Sequence, residues 1–200
     1  GGRLLRGFDY GQIVGAVVHA SGHLPKPGTV SQSGGFLYPL GELDGSITPR
    51  LQALSEMFTQ AGLQAPPATN IRQDVWRKLM GNVSLNPVSV LTRSMIGPMF
   101  ADSDIAGVIR GLMEECTELA SAVGIDVGIS IEDRMALAGR LVDVKTSMLQ
   151  DMEAGRPLEI EPIVGAVVEL SQLYEIATPK TRLIYALLRA LEKNLQSRAK

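Results

Sequence analysis

The chain has 200 residues, a net charge of −2 and a hydrophobic fraction of 45%. This composition is typical of a globular protein with room for one large domain or two small ones. The near-neutral charge and the scattered Lys and Arg residues exclude a basic nucleic-acid-binding stripe. No apolar run reaches the roughly 18 residues of a membrane span. The single cysteine, Cys116, leaves no internal disulfide, so we expect a cytoplasmic protein with neither a nucleic-acid nor a membrane partner.

Residues 1–70 are rich in glycine and proline and predict short strands with one helix. The continuous β-branched run Ile13–Ala20 predicts a buried strand. Two further strands are expected at Thr29–Gln32 and Phe36–Leu40, with Gly34-Gly35 as the turn between them. A helix is expected over Thr48–Ala61, because a proline occupies its first turn and a glycine follows its end.

These elements are too few for a stable α/β domain, so they resemble the end of a larger sheet. The chain also opens on Gly1-Gly2 without a methionine. We therefore expect the sequence to begin partway through a longer protein. The Pro-rich stretch at residues 65–70 predicts a domain boundary.

Residues 71–200 predict helices and no strand. The expected architecture is therefore mostly α, a bundle of about five or six helices after a small β-containing segment. A loop or strained joint between helices is expected over residues 151–162. The predicted helices are Asp74–Thr92 with a break at Pro87, Asp102–Val123, Ser130–Leu149, Ile163–Tyr174 and Lys180–Gln196.

A file of polar residues lies on the first of these helices. Lys78, Asn82 and Asn86 follow one another at steps of four, and each such step drifts only about 40° around a helix. The surrounding residues are apolar, so the helix is expected to be buried. Buried amide and ammonium groups need partners. Either Lys78 reaches solvent and the asparagines brace neighbouring helices, or the file binds a ligand and water.

Two motifs resemble the ketopantoate reductase family, the NADPH-dependent 2-dehydropantoate 2-reductases of pantothenate and coenzyme A biosynthesis. One is W-x-K-L-x-x-N-x-x-x-N-P at Trp76–Pro87, and the other is S-M-L-Q-D-x-x-x-G-R-x-x-E-I at Ser147–Ile160. The resemblance implies that residues 1–70 are the C-terminal remnant of a Rossmann-type dinucleotide-binding domain. It implies that residues 71–200 form the helical substrate domain, of the 6-phosphogluconate dehydrogenase C-terminal-like type.

The resemblance also implies a role for each matching residue. Lys78 is similar to the general acid that protonates the substrate carbonyl oxygen, and Glu159 to the carboxylate where lysine, substrate and cofactor meet. The expected substrate-binding residues are Asn82, Asn86 and Ser147. The expected cofactor-binding residues are Glu159 and Ser21, with NADPH as the cofactor and a small 2-oxo acid as the substrate.

One family feature is absent, because the sequence contains no G-x-G-x-x-G turn to hold the cofactor pyrophosphate. We therefore expect this chain alone to bind NADPH poorly, to be inactive and to form a homo-oligomer through an unpaired strand edge. Two alternatives stay open: a reductase of another small 2-oxo acid, and a non-catalytic helical dimerisation or interaction module.

Three other groups are expected to be structural. His19 and His23 flank the end of a strand, so we expect no metal site there. Cys116 lies in a helical pattern with no nearby histidine, which favours a buried inert thiol. A cluster of three acids is expected to be the solvated face of a helix; its members are Glu114, Glu115 and Glu118.

Overall fold

The computed structural model describes residues 8–198, without the side chains of residues 23, 24, 33 and 198. The expectation drawn from Gly1-Gly2 lies outside the described residues. The chain divides between Val75 and Trp76 into two compact units. Within the described residues, no helix combines the length and the apolar character that a membrane crossing requires.

The N-terminal unit contains two small antiparallel sheets. A 3₁₀ turn at Tyr10–Gln12 precedes four strands. The first and last strands pair with each other, and the middle two form a hairpin. The strands are β1 (Val14–Ala16), β2 (His19–Lys26), β3 (Thr29–Leu37) and β4 (Leu40–Glu42).

The strand predictions were partly wrong. Ile13–Ala20 is not one strand, because the chain leaves β1 at Val17, whose N–H donates to the carbonyl of Pro39 at 3.1 Å. Gly34-Gly35 is not a turn but part of β3. Between the pairs His19–Leu37 and Ser21–Gly34, β3 has one more residue than β2, which makes a bulge. Gly35 takes up this bulge with a φ of +75°.

The predicted helix of this unit is confirmed as α1 (Pro49–Gln60). Thr48 is its N-cap, and its side chain accepts from the Leu51 N–H at 3.2 Å. Leu51 packs with Leu40 of β4 in a small core. The adjacent Glu42 carboxylate is buried beside Arg50, and hydrogen bonds from Arg50 and Thr48 lower the pKa of Glu42 to about 2.

The C-terminal unit is helical, and no strand follows Glu42 within residues 8–198, so the mostly α fold is confirmed. A single hydrophobic core extends from Trp76 to Leu188. A π-helical turn, Glu161–Gly165, joins two of the helices. The helices are α2 (Ile71–Thr92), α3 (Ile96–Ala101), α4 (Ser103–Ala122), α5 (Ile131–Gly139), α6 (Ser147–Glu153), α7 (Ala166–Leu173) and α8 (Pro179–Arg198).

Two helix predictions were wrong. α2 is not broken at Pro87 but continues through it to Thr92. The residues around Pro87 are buried in the core, and tertiary packing of this kind outweighs the local cost of a proline. The predicted helix Ser130–Leu149 is two helices, α5 and α6. The intervening backbone is instead held by α3, because the N–H groups of Ile96 and Gly97 donate to carbonyls at residues 144 and 142.

The acidic cluster on α4 also differs from the prediction. Glu114 and Glu118 are exposed, as expected, but Glu115 is buried, with only 5% of its surface exposed. Its carboxylate accepts from the backbone N–H groups of Lys180 and Thr181, both at 2.8 Å. These donors belong to the first turn of α8, where a negative charge is favourable. Glu115 therefore fixes the start of α8 against α4.

Candidate active site

Lys78 lies in the second turn of α2, half-buried beside fully buried neighbours such as Met80. Burial lowers the pKa of the Lys78 ammonium below its usual value, because the charged form loses hydration. The negative charge of Glu159 opposes this shift. The structure thus brings Lys78 and Glu159 into electrostatic range. An ammonium group with a lowered pKa and a nearby carboxylate can act as a proton donor.

Glu161, only two residues from Glu159, has a different partner. Its carboxylate accepts hydrogen bonds from the Tyr185 hydroxyl, at 2.8 Å to each oxygen. These bonds join the π-helical turn, which contains Glu161, to α8, which contains Tyr185. These bonds raise the pKa of Tyr185. Glu159 is exposed and immediately precedes the buried Ile160. The two glutamates are therefore distinguished by their partners, Tyr185 for Glu161 and Lys78 for Glu159.

Asn82 and Asn86 follow Lys78 along α2. Asn82 is half-buried, whereas Asn86 is 5% exposed. The Nδ2 atom of Asn86 is buried and has no hydrogen-bond partner among the described residues. An unsatisfied buried donor costs about 1–3 kcal/mol. An external acceptor would remove this cost, so Asn86 is a candidate ligand-binding residue.

Ser147 is linked to the same part of α2 through a chain of hydroxyl groups. Ser89 donates to the Asn86 carbonyl at 2.8 Å. Since that bond uses its only proton, the Thr146 hydroxyl is the donor in the 2.5 Å bond between Thr146 and Ser89. Thr146 is the N-cap of α6, and Ser147 is its first, exposed residue. The structure therefore anchors the turn that carries Ser147 one helical turn beyond Asn86.

Ser21 belongs to the N-terminal unit, where it is exposed on β2 opposite Gly34. His19 lies on the same strand, and the side chain of His23 is outside the description. A cavity of about 470 Å³ in this unit is lined by residues that include Glu42 and Arg50, and by none of the predicted site residues. No cluster of three or more His, Cys, Asp or Glu residues suited to a metal ion occurs in the described part of the chain.

Cys116 is buried within the core of the C-terminal unit. Burial raises the pKa of its thiol to about 12, because the thiolate would lose its hydration. The thiolate is the reactive form of cysteine, and it is not populated near neutral pH at this position. The prediction of a buried thiol is therefore confirmed, and its raised pKa supports the expectation that it is inert.

Arg134 on α5 is a residue that the sequence analysis missed. Its Nε atom is buried, and it is the second buried donor without a partner among the described residues. Burial also lowers the pKa of its guanidinium. Arg134 follows Glu132 and Asp133 in sequence, and a run of charged residues of this kind usually indicates the solvated face of a helix. Only the packing of α5 against α2 reveals it.

Residues 70–192 match the family model described as the ketopantoate reductase PanE/ApbA C-terminal domain. The chain belongs to the ketopantoate reductase family. The matched segment includes the whole of α2, the joint that carries Glu159 and the π-helical turn. The resemblance seen in the two sequence motifs is therefore confirmed.

Relatives in this family extend across nearly the whole chain. A 2-dehydropantoate 2-reductase of Mesorhizobium japonicum is 37% identical over 191 residues, which are 96% of this chain and 59% of the relative. A 2-dehydropantoate 2-reductase of Archaeoglobus fulgidus is 27% identical over 92% of this chain and 62% of the relative. The chain thus spans about three fifths of the length of these curated relatives.

Solved structures agree with the fold. The 2-dehydropantoate 2-reductase of Geobacter metallireducens GS-15 superimposes with a TM-score of 0.86 at 28% identity, covering 94% of this chain and 64% of that one. D-mandelate dehydrogenase, at 21% identity, has the same fold with a TM-score of 0.87 over 96% of this chain and 67% of that one. The expected helical domain preceded by strands and one helix of an α/β domain is therefore confirmed.

Proposed function

We propose that this chain carries the substrate domain of a reductase that converts 2-dehydropantoate to pantoate with NADPH, in the cytoplasm, as a step of pantothenate biosynthesis. The observation that carries the proposal is the electrostatic interaction between Lys78, in the first of the two family motifs, and Glu159, in the second. Burial and the carboxylate act on the same ammonium group in opposite directions. This arrangement supports a role for Lys78 as the proton donor and for Glu159 as its partner.

Each of the other α2 residues has a role in the proposal. Reduction places negative charge on the carbonyl oxygen, and the Lys78 ammonium neutralises that charge by donating a proton. The amides of Asn82 and Asn86 bind substrate oxygens without adding charge. The unpartnered Nδ2 atom of Asn86 supports this role, because a substrate oxygen would satisfy it. Ser147 supplies one further hydroxyl contact.

A nicotinamide cofactor fits the residues of this chain at one end only. The Glu159 carboxylate is exposed and its charge acts on Lys78. Such a carboxylate can accept a hydrogen bond from the carboxamide of a nicotinamide. No G-x-G triplet occurs in the 200 residues, so no glycine-rich turn for a pyrophosphate is present in them. When bound, a reduced nicotinamide supplies hydride to the carbonyl carbon. We assign Glu159 and Ser21 to this cofactor, and we prefer NADPH, on the family resemblance.

The proposal is tested with the protein at its natural length. Steady-state reduction is measured with NADPH and with NADH, on ketopantoate and on a panel of other small 2-oxo acids. We expect the highest kcat/KM for ketopantoate with NADPH. A higher value for another 2-oxo acid would indicate a reductase of that acid instead. Absence of turnover with every 2-oxo acid would contradict the proposal and favour a helical dimerisation or interaction module.

A further inference from the structure

The side chain of Arg134 crosses from α5 to α2 at Gly81. A methyl group at position 81 would lie 3.1 Å from the Cζ atom of Arg134 and would overlap its Nη2 atom. The guanidinium therefore occupies the space that any other residue at position 81 would fill. Gly81 lies three residues after Lys78 and one residue before Asn82, so the guanidinium packs against α2 within one helical turn of both residues.

The charge of Arg134 is not balanced within the described residues. It makes no ion pair there, and its buried Nε atom has no hydrogen-bond acceptor. The two acids that precede it on α5 have other partners. Glu132 pairs with Arg110 at 2.8 Å, and Asp133 accepts from the Ser130 hydroxyl at 2.7 Å. Arg134 is half-buried and its guanidinium keeps its charge, so the buried part of the group loses hydration without gaining a partner.

These observations point to an anion as the missing partner. We propose that Arg134 binds the carboxylate of the 2-oxo acid, and this inference rests on the proposed function. The planar guanidinium can donate two parallel hydrogen bonds to a carboxylate, which a lysine cannot do. The ketone of a 2-oxo acid is bonded directly to its carboxylate carbon. A carboxylate held at Gly81 therefore leaves the adjacent carbonyl oxygen for Lys78, one turn away.

A phosphate of the cofactor is the other anion that could bind at this position. A carboxylate is favoured because Arg134 lies beside the helix that carries the proton donor, whereas phosphate recognition in this architecture belongs to glycine-rich turns. The two sources differ in a measurable way. Loss of a carboxylate partner raises KM for the 2-oxo acid, and loss of a phosphate partner raises KM for the cofactor.

The test uses three variants of the protein at its natural length. Arg134→Gln removes the charge. Gly81→Ala displaces the guanidinium without changing any polar group, and alanine favours a helix over glycine. Gly107→Ala on α4 is the matched control, because a methyl group there meets no described atom within 4 Å. Each variant is assayed with ketopantoate and with the same molecule in which the carboxylate is replaced by a carboxamide.

We expect Arg134→Gln to lower kcat/KM for the acid by about 10–100-fold, mainly through KM, which is the range for a charge-assisted hydrogen bond. Gly81→Ala should act in the same direction, and Gly107→Ala should have no effect. With the carboxamide as substrate, kcat/KM of each variant should stay within about twofold of the value for the unchanged protein. Thermal unfolding of each variant establishes whether it is folded. If Arg134→Gln does not fold, Gly81→Ala serves as the test.

Three results would overturn the inference. The first is an equal loss for the acid and for the carboxamide, and the second is a raised KM for the cofactor in place of the acid. The third is an unchanged KM for the acid in both variants. In all three cases turnover by the unchanged protein leaves the proposed function intact. If the unchanged protein reduces no 2-oxo acid, the proposed function and this inference fail together.

Discussion

Lys78 shows how one side chain is adjusted by two opposing effects. Burial on α2 removes hydration from its ammonium and lowers the pKa, while the charge of Glu159 acts in the opposite direction. A proton donor must be protonated before the reaction and able to release its proton during it. For the proposed role of Lys78 as the proton donor, the balance between burial and Glu159 should set the pH at which reduction declines.

The first prediction follows from the sign of this balance. Glu159→Gln removes the charge that raises the pKa of Lys78, so burial acts unopposed and the pKa falls further. The ammonium is then lost at lower pH, and the alkaline decline of kcat for reduction should move to lower pH. The measurement is a pH–rate profile of ketopantoate reduction for the unchanged and the variant protein.

Glu161→Gln is the matched control for this profile. The Glu161 carboxylate is bound by the Tyr185 hydroxyl, so its removal should leave the alkaline decline in place. An unchanged profile for Glu159→Gln, or a larger displacement for Glu161→Gln, would show that the wrong carboxylate has been paired with Lys78.

Some individual residues could be predicted from sequence and others could not. The positions of Lys78, Asn82 and Asn86 on one helix face follow from the spacing alone. Composition could not choose between Glu159 and Glu161, and only the family motif did so. Arg134 could not be found at all, because its environment depends on Gly81, more than 50 residues earlier in the chain.

At the scale of elements, local signals predicted helix ends better than they predicted interruptions. The predicted helices began at Thr48 and Asp102, which the structure shows to be the N-caps of α1 and α4, each accepting hydrogen bonds from the first turn of its helix. The separation of α5 from α6 was missed, because residues 142 and 144 bond with the start of α3, a contact distant in sequence. The continuation of α2 through Pro87 was also missed, because the burial of the surrounding residues is a tertiary effect that local sequence does not show.

The start of α8 gives the second prediction. Glu115 accepts from the backbone of Lys180 and Thr181 and from the Thr181 hydroxyl. Glu115→Ala leaves these donors without a partner, so it should lower the free energy of unfolding by about 1–3 kcal/mol. Urea unfolding followed by far-UV circular dichroism measures this change.

Glu114→Ala is the neighbouring control. Glu114 is exposed, so its removal should change the free energy of unfolding by no more than about 0.5 kcal/mol. A similar loss of stability in both variants would mean that Glu115 contributes through helix α4 itself and not through the start of α8.

At the scale of the whole molecule, the sequence predicted the class of fold and the change of character near residue 70. The structure places the division between Val75 and Trp76, inside α2. Each unit has its own core, a large one in the C-terminal unit and a small one around Leu40 and Leu51. The boundary could not be predicted to the residue, because α2 begins in one unit and continues into the other without a loop.

The third prediction concerns NADPH and the 200-residue chain alone. Dinucleotides in this architecture are held by backbone N–H groups of a glycine-rich turn, and the chain has no G-x-G triplet. Isothermal titration of the chain with NADPH should therefore show no binding in the micromolar range. Light scattering on the same sample should show an oligomer. Micromolar binding by a monomer would mean that the cofactor site or the domain boundary has been misplaced.

The most direct measurement compares turnover with cofactor binding in Lys78→Ala, in the protein at its natural length. The control is Lys145→Ala, since it removes only an exposed ion pair with Glu153. Lys78→Ala should lower kcat for ketopantoate by about 10²–10⁴-fold, as expected for loss of a positioned proton donor, and should leave the Kd for NADPH unchanged. Turnover equal to that of Lys145→Ala would contradict Lys78 as the proton donor, and with it the central claim.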